Sequence, residues 1–416
     1  MSAPVNPFAV LSFEDARHLV EDHAASVWAT AHKAAATESV SLLEVTSRGL
    51  AESVQADRDI PPFPRSTRDG YAVRTVDLAV LPATLEVIGE IKAGARLEEI
   101  PASIASGQAA SIMTGAPVPA GADAVVMVEY TSADENRVEI TRGVVPGENI
   151  VPRGAEARVG SLLLDCGLRL NEAAIALAAS VGKPTLKVFH RPRVAVLTTG
   201  DEIVGVAATP GPTQIRNSNS YSLAAQIRQA GGEPVLLPVA PDEPQGLQRL
   251  IEEGLQSDLL LMTGGVSMGR YDLVEQVLAE LHAEFFFTGA KIQPGKPIVF
   301  GRCGAKYFFG LPGNPVSTMV TFELFVRPLV EALAGMAPQK LIFVHARLKA
   351  EIRIKPGLTR FLPAILSGEF ENSAVEIVAW QGSGDIAATT RANCYVVIPP
   401  DRERIGTGEF VAVMLR

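Results

Sequence analysis

The spacing of apolar residues changes near Arg193, where short apolar runs begin to alternate with helical stripes. Alternating strands and helices are typical of a parallel sheet covered by helices. The pattern predicts strands at 194–197, 234–237 and 259–262, and helices at 219–230, 247–255 and from Pro315 to about 333. Because residues 259–262 are all apolar, we expect that strand to be buried on both faces.

The flanking parts of the chain show other patterns. Ser12 to Asp15 resembles a helix-capping box, and a second short helix is predicted from Thr46 or Ser47 through Val54. Short β runs separated by Gly, Pro and Asp predict a small β domain between residues 61 and 148, and residues 173–181 predict an alanine-rich helix. Beyond Pro338 the pattern predicts strands to the end of the chain.

The predicted fold is therefore multidomain, α/β plus β. We expect a discontinuous N-terminal domain at 1–60 and 149–188, with a small β domain inserted at 61–148. A parallel-sheet α/β domain follows at 189–336, and a C-terminal β-barrel-like domain at 337–416. A chain of 416 residues is long enough for several cores.

Composition narrows the function classes. The chain is 47% hydrophobic and 20% charged, which is typical of a compact folded protein. Its net charge of −9 argues against nucleic-acid binding, and its apolar runs are too short to span a membrane. With an N-terminus unlike a signal peptide and three scattered cysteines, we expect a cytoplasmic protein. The six histidines have no zinc-ligand spacing.

The loop after the buried strand is the first candidate site. Thr263, Gly264 and Gly265 separate this strand from an amphipathic helix that begins near Asp272. Backbone N–H groups in such turns can bind anions, and glycines allow a ligand to approach closely. The alternative is a tight turn without a ligand, because the loop matches neither G-x-G-x-x-G nor the P-loop pattern.

Charged residues of both signs accompany this loop. Carboxylates after strands suit a hard divalent cation, whereas lysines in a Pro/Gly turn suit an oxyanion. These residues are Asp201, Glu202, Asp272, Lys291 and Lys296. Asp201 and Glu202 can instead cap a helix, and Lys296 can be a solvated turn residue. Because the sequence has no Ser-His-Asp pattern and no cysteine nucleophile, electrostatic stabilisation of a phosphorylated ligand is favoured over covalent catalysis.

Several motifs together resemble one family, the molybdopterin molybdenumtransferases (MoeA), to which a domain of gephyrin is related. In chain order the motifs are Ser66-x-x-Asp69-Gly70-Tyr71-Ala72, Met113-Thr114-Gly115-Ala116, Thr199-Gly200-Asp201-Glu202, Thr263-Gly264-Gly265-Val266-Ser267-x-Gly269, Pro294-Gly295-Lys296-Pro297 and Leu311-Pro312-Gly313-Asn314-Pro315. The likeness covers nearly the whole chain.

The resemblance implies an enzyme of molybdenum cofactor biosynthesis. It would take adenylylated molybdopterin and molybdate, release AMP with the help of Mg²⁺, and leave molybdenum on the dithiolene. It implies a homodimer whose N-terminal domain serves dimerisation, whose α/β domain binds molybdopterin, and whose active site is shared between subunits. Contact with the molybdopterin adenylyltransferase is a further expectation.

The resemblance also implies roles for individual residues. Those implied for catalysis are Asp69, Glu202, Asp272, Lys291 and Lys296, with Glu202 and Asp272 holding the cation. Those implied for binding are Thr114, Glu156, Thr199, Gly200, Gly264, Gly265, Ser267, Pro312, Asn314 and Ser383. On this interpretation Asp69 and Thr114 reach in from the partner subunit.

Some positions depart from the family pattern. The family usually has Asp-Asn-Ser-x-Met-Asp-Gly-Tyr-Ala, whereas Arg65 and Arg68 bring positive charge to that motif here. Glu156 stands where the family often has Asp. Two alternatives remain from the sequence: an adenylyltransferase, which shares the parallel-sheet domain, and a gephyrin-like scaffold without catalysis. Tungstate is an alternative to molybdate because the two oxyanions are alike in size and charge.

Overall fold

The computed structural model describes residues 10–34, 36–264 and 273–415, without the side chains of 31–34. Its contacts divide the chain into two compact units. The first contains the described residues of Met1–Glu52, Cys166–Glu172 and Thr185–Arg416, and the second contains Ser53–Asp165 and Ala173–Pro184. The four domain boundaries expected from the sequence stay a prediction.

A six-stranded sheet forms the centre of the first unit. Its strands, from edge to edge, are Glu233–Leu236, Arg193–Thr198, Leu259–Thr263, Lys306–Leu311, Val299–Cys303 and Glu284–Phe287. The first four run parallel, as predicted, and every residue of Leu259–Thr263 is buried. Val299–Cys303 runs antiparallel to both of its neighbours, Lys306–Leu311 and Glu284–Phe287. The short turn through Gly304 joins it directly to Lys306–Leu311, and such a turn can only form a hairpin.

Helices cover this sheet on both faces. They are Phe13–Ala34, Asn219–Gln229, Pro244–Gly254, Leu273–Glu280 and Pro315–Thr321, the last continuing through the π-helical turn Phe322–Val326 into Arg327–Leu333. One half of the predicted capping box is present at the first helix: the Ser12 hydroxyl oxygen accepts a hydrogen bond from the Asp15 N–H at 3.0 Å, and the Asp15 carboxylate accepts the Ser12 hydroxyl at 2.7 Å. Gly231, at φ +90°, ends Asn219–Gln229, as expected for a helix stop.

A closed five-stranded barrel forms the C-terminal region of the first unit. Its strands are Phe343–Leu348, Thr359–Ser367, Ala374–Ile377, Cys394–Ile398 and Phe410–Leu415. The barrel closes because Thr359–Ser367 pairs with both Ala374–Ile377 and Cys394–Ile398. Closure leaves few unpaired sheet edges and confirms the predicted β-barrel-like domain. The short strand Ile292–Gln293 adds to Thr359–Ser367 and links the barrel to the lysine-containing turn.

Short elements complete the first unit. The paired strands are Val10–Leu11 with Gly289–Ala290, Thr37–Ser41 with Thr185–Phe189, Ile203–Val204 with Ile215–Arg216, and Ile352–Arg353 with Arg404–Ile405, and a short helix spans Ile386–Thr389. The helix expected after Thr46 is wrong. Gly49 and Leu50 instead form β-bridges with Arg169 and Val188, since these distant partners satisfy their backbone groups.

The second unit is built around its own six-stranded sheet, which confirms the predicted small β domain. The strands, in spatial order, are Ala124–Met127, Gly70–Val73, Gln108–Ile112, Ala83–Ile91, Arg137–Ile140 and Thr131–Asp134. Short pairs join Val54–Gln55 to Leu162–Leu164 and Arg65–Ser66 to Ile150–Val151, and the alanine-rich helix spans Glu172–Ser180. Among the described residues, the structure contains no helix with the length and apolar character needed to cross a bilayer.

Candidate active site

Two loops meet where neighbouring parallel strands of the first unit end. Thr198 and Thr263 are partners in register, and the Thr199 N–H donates to the Thr263 carbonyl at 3.0 Å. Gly264 follows with φ +88°, and a Cβ at this position would lie 2.5 Å from the Thr199 carbonyl oxygen. Only glycine fits this conformation and this close approach without displacing backbone. The predicted residues Thr199 and Gly264 are therefore in direct contact.

A third loop joins them from the next strand. Thr263 is paired in register with Leu311, after which Pro312, Gly313 and Asn314 lead into the helix that begins at Pro315. A Cβ on Gly313 would lie 3.5 Å from the Cα of Gly264, so the two glycine loops pack against each other. The sheet therefore presents three loops at the carboxyl ends of adjacent strands, the usual position of ligands in such sheets.

These loops border a cleft of about 710 Å³. Its lining comes from the three strand ends, the start of the helix Asn219–Gln229 and the C-terminal region. The lining residues are Thr198, Glu202, Ile203, Ile215, Arg216, Asn217, Ser218, Asn219, Thr263, Gly264, Pro297, Pro312, Gly313, Asn314, Pro315, Gly384 and Ile386. Four of the predicted site residues therefore line the cleft: Glu202, Gly264, Pro312 and Asn314.

Glu202 is placed by the loop that contains Gly200. Gly200 has φ +130°, and a Cβ on it would lie 2.6 Å from a Glu202 carboxylate oxygen, so the glutamate side chain lies against the Gly200 backbone. Within the described ranges the Glu202 carboxylate has no hydrogen-bond or ion-pair partner. The Asp201 carboxylate, in contrast, accepts a hydrogen bond from the Asp242 N–H at 3.2 Å, and the Asp242 carboxylate accepts one from the Asp201 N–H at 3.4 Å.

The two predicted lysines lie on the turn that precedes the Val299–Cys303 strand. A Cβ on Gly295 would lie 2.4 Å from the Thr321 side chain, so this turn packs against the helix that starts at the cleft. Lys291 and Lys296 are both exposed, and neither forms an ion pair with another described residue. Neither lysine lines the cleft, but Pro297, next to Lys296, does.

Ser383 reaches the same region through its backbone. Its carbonyl accepts the Val316 N–H at 3.0 Å, which joins the C-terminal loop to the first turn of the helix that begins at Pro315. Gly265, Ser267 and Asp272 lie outside the described residues. Their predicted roles stay predictions.

A buried polar network supports the cleft and was missed from the sequence. Thr198 and Ser220 share a hydrogen bond of 2.8 Å between their hydroxyls, and Asn217 receives the Ser220 N–H on its Oδ1 at 3.1 Å. Asn219 bonds to Thr263 and to the Gly313 carbonyl. The sequence signal was the polar run from Arg216 to Ser220, which was interpreted only as a helix start.

Asp69 and Thr114, to which the family resemblance assigns roles in the active site, are in contact in the second unit. One carboxylate oxygen of Asp69 accepts the Thr114 N–H at 2.6 Å and the Thr114 hydroxyl at 2.8 Å. These two donors, the N–H first, lower the pKa of the Asp69 carboxyl below its usual value. Asp69 is exposed and therefore remains ionised well below neutral pH.

Glu156, the other predicted site residue of the second unit, is paired with Arg65. The Arg65 guanidinium donates to its carboxylate at 2.7 Å. In the second unit Arg153 forms a similar pair with Asp59, also at 2.7 Å. The arginine beside the Asp69 motif is thus partly neutralised, and the carboxylate of Glu156 already has a cationic partner.

The cleft offers a carboxylate ligand that suits a divalent cation. Mg²⁺ is bound in proteins by one or two carboxylates, together with water and substrate oxygens. Glu202 offers one such carboxylate at the cleft, and this fits. In the described part of the chain no three His, Cys, Asp or Glu side chains form a metal cluster; Asp272, the predicted second ligand, lies outside it.

Family comparisons cover almost the whole chain. Residues 11–182 match the MoeA N-terminal region (domain I and II), residues 195–332 a probable molybdopterin binding domain, and residues 345–415 the MoeA C-terminal region (domain IV). The chain is 36% identical over 390 residues to a molybdopterin molybdenumtransferase of Nostoc sp., covering 91% of this chain and 88% of the relative. It is 34% identical over 388 residues to that of Bacillus subtilis, covering 91% and 90%.

Solved structures are similar over the same extent. A molybdopterin biosynthesis MoeA protein from Pyrococcus horikoshii OT3 superposes with a TM-score of 0.76 at 27% identity, covering 98% of this chain and 100% of that one. A second structure of a Pyrococcus MoeA protein gives a TM-score of 0.70 at 33% identity, covering 98% and 99%. Both the fold and the order of the domains are therefore shared.

Proposed function

Because the chain belongs to the MoeA family of molybdopterin molybdenumtransferases, as its motifs predicted, we propose that it inserts molybdate into adenylylated molybdopterin and releases AMP. The observation that carries this proposal is the cleft at the ends of three parallel strands. Loops and helix starts there offer N–H groups, and Glu202 and Arg216 add one charge of each sign. Such a site suits a phosphorylated substrate together with a cation.

The substrate's phosphate groups are proposed to bind where the cleft carries positive charge. The helix Asn219–Gln229 begins within the lining, and its partial positive charge favours anions. Arg216 lines the cleft just before it, held by a hydrogen bond of 3.0 Å from Nε to the Ala208 carbonyl. Lys296, beside the lining residue Pro297, adds a flexible cation that can reach an oxyanion. We assign molybdate or a phosphate oxygen to the two lysines.

Glu202, with Asp272, is proposed to hold Mg²⁺. The cation would supply charge neutralisation to the phosphate oxygens as the bond to AMP breaks. Glu202 is suited to this role because its carboxylate has no other partner among the described residues and lies against the Gly200 backbone. Asp69 contributes an ionised carboxylate that Thr114 orients by two hydrogen bonds on the same oxygen. Its second oxygen can accept a hydrogen bond from substrate or water.

The activity is tested by measuring AMP release. The protein is incubated with adenylylated molybdopterin, molybdate and Mg²⁺, and AMP is quantified against samples that lack molybdate or Mg²⁺. We expect AMP release that requires both. If AMP is not released with any divalent cation, the proposal fails. ATP consumption with molybdopterin alone would instead support the adenylyltransferase, and tungstate in place of molybdate tests the choice of oxyanion.

We further propose that the protein is a cytoplasmic homodimer with active sites completed by the partner subunit. Asp69 belongs to the second unit and Glu202 to the first, and the family resemblance implies that they meet across subunits. Inactive Asp69→Asn and Glu202→Gln proteins are mixed and allowed to exchange subunits. If sites are shared, each mixed dimer has one intact site, and activity should return to about one quarter of wild type. If each site lies within one subunit, the mixture stays inactive.

A further inference from the structure

Asn219 connects two walls of the cleft. It is the first residue of the helix Asn219–Gln229 and lines the cleft, yet it is only 8% exposed. Its Nδ2 donates to the Thr263 hydroxyl at 2.9 Å and to the Gly313 carbonyl at 2.8 Å. Thr263 is the last residue of the strand that precedes Gly264, and Gly313 belongs to the third loop. One amide group therefore joins the two glycine loops.

The orientation of this amide follows from its partners. The Gly313 carbonyl can only accept a hydrogen bond, so the atom facing it must be the nitrogen. The Thr263 hydroxyl donates to the Pro312 carbonyl at 3.1 Å, and it therefore accepts from Asn219. Both neighbours thus require the Nδ2 group on the same side. The amide oxygen is left to face the other way.

That oxygen has no hydrogen-bond partner among the described residues, although it is buried. A buried carbonyl oxygen without a partner destabilises the fold, and native proteins usually supply one from protein, water or ligand. An amide oxygen only accepts, so its partner must carry an N–H or O–H group. Because Asn219 lines the cleft, a substrate bound there is the candidate for providing that group.

We propose that Asn219 is a positioning and specificity residue for the transfer reaction. Its nitrogen sets the separation of the Gly264 and Gly313 loops, and its oxygen accepts a hydrogen bond from the organic part of the substrate. The inference rests on the proposed function. Ionised molybdate and phosphate oxygens carry no hydrogen-bond donor at neutral pH, so the Asn219 oxygen cannot form a hydrogen bond with the oxyanion. A heterocyclic amine does carry one, and both a pterin and an adenine ring have such an amine.

Two substitutions separate the roles of the two amide atoms. Asn219→Asp keeps an acceptor oxygen but replaces the nitrogen donor, which places an oxygen against the Gly313 carbonyl. Asn219→Ala removes both. Asn393→Ala is the control, because the Asn393 amide also makes two hydrogen bonds, to Leu366 at 2.8 and 2.9 Å, and Asn393 is not among the residues that line the cleft.

Steady-state AMP release from adenylylated molybdopterin is measured for all four proteins. We expect Asn219→Asp to lower kcat at least tenfold because the loops shift; its added negative charge repels the phosphorylated substrate, so the KM comparison is made with Asn219→Ala. We expect Asn219→Ala to lower kcat and also to raise KM at least tenfold. A merely structural role would lower the active fraction and leave KM unchanged, as expected for Asn393→Ala. Wild-type kinetics in both Asn219 variants would overturn the proposal.

Equilibrium binding identifies the donor and keeps the inference testable apart from the activity. Molybdopterin, under anaerobic conditions, and AMP are titrated separately into the wild type and Asn219→Ala without molybdate. If Asn219→Ala binds molybdopterin at least tenfold more weakly but AMP normally, the donor belongs to the pterin. If it binds AMP at least tenfold more weakly but molybdopterin normally, the donor belongs to the nucleoside. Equal affinities in both titrations overturn the proposal. If the wild type releases no AMP, the proposed function fails, while these titrations still decide the role of Asn219.

Discussion

The guanidinium of Arg65 donates to the carboxylate of Glu156, with Nη2 and Oε1 2.7 Å apart. Their side chains are 41% and 51% exposed. In the sequence these are two separate departures from the family pattern, an arginine in the Asp69 motif and a glutamate where aspartate is common. The structure joins them into one ion pair, in which each charge offsets the other. The pair therefore adds little net charge beside Asp69.

The first prediction concerns this pair. Exposed ion pairs contribute about 0.2–1 kcal/mol, so Arg65→Met and Glu156→Gln should each change the free energy of unfolding by no more than about 1 kcal/mol. If Glu156 also contacts the substrate, Glu156→Gln should lower AMP release roughly tenfold, the scale of one lost charged hydrogen bond. That loss should appear equally in the Arg65→Met background. If the double variant is no worse than Arg65→Met, Glu156 serves only to neutralise Arg65.

The second prediction concerns the pH dependence set by Thr114. Thr114→Val removes the hydroxyl donor to Asp69 but keeps the N–H, so the pKa of Asp69 should rise part of the way to its usual value. The acid limb of the kcat/KM profile should then move to higher pH. A lowered pKa contributes stability above the unfolded value of about 3.9, which is lost as pH falls through the folded value. Because the folded pKa of the variant lies closer to the unfolded one, the variant should lose less stability than the wild type as pH falls below about 3.9.

A matched control for this experiment is Thr141→Val. It removes a hydroxyl in the same unit that donates to the Tyr130 carbonyl at 2.9 Å and not to Asp69. Its pH profile should match the wild type. An acid limb that moves equally in both variants would show that Thr114 does not act through Asp69. AMP release and urea unfolding are both measured over a pH range that extends well below 3.8, the ordinary pKa of an aspartate carboxyl.

The third prediction concerns Cys394 in the barrel. This thiol is 0% exposed and donates to the Ala364 carbonyl at 3.3 Å, and burial raises its pKa to about 11. At pH 8 only about one thiol in a thousand is ionised in the folded state. Alkylation by iodoacetamide, followed by mass spectrometry, should be far slower than in urea. Stability should fall as pH rises from about 9 to 11, because only the unfolded thiol ionises there. Equal alkylation rates in both states would contradict this burial.

Much of the site was predictable because local patterns determine it. Four apolar residues followed by Thr263 and Gly264 indicate a buried strand and a turn, and parallel strands bring their carboxyl ends to one edge. In the structure Thr199 and Gly264 are in contact at that edge. The capping box at Ser12 is similarly local. Such signals involve residues close in sequence, or a general rule of sheet topology.

The remaining features depend on partners distant in sequence. Leu50 and Val54 have helical spacing, but Leu50 bridges to Val188 and Val54 pairs with Leu164, which no local pattern reveals. From the sequence, Asn219 was interpreted only as a helix start. Its bonds to Thr263 and Gly313 span 44 and 94 residues, so no local pattern indicates them. The pairing of Arg65 with Glu156 is equally remote in sequence. Long-range packing decided each of these features, and sequence periodicity carries no record of it.

The last prediction uses two neighbouring glycines as a matched pair. Gly264 has φ +88°, and an added Cβ would lie 2.5 Å from the Thr199 carbonyl oxygen, which belongs to backbone and cannot easily move. Gly264→Ala should therefore destabilise the protein by about 1–3 kcal/mol and disturb the loop that borders the cleft. At Gly313 the nearest atom would be 3.5 Å away, an ordinary contact, and Gly313→Ala should change stability by less than about 0.5 kcal/mol.

Thermal and urea unfolding of both variants measure this difference directly, and AMP release measures its effect on turnover. The Gly264 variant should lose turnover even at temperatures where it remains folded, because its loop must move away from Thr199 to make room for the methyl group. Similar stabilities in the two alanine variants would mean that the backbone at Gly264 adapts freely. In that case the close contact between Gly264 and Thr199 would not be what shapes this wall of the cleft.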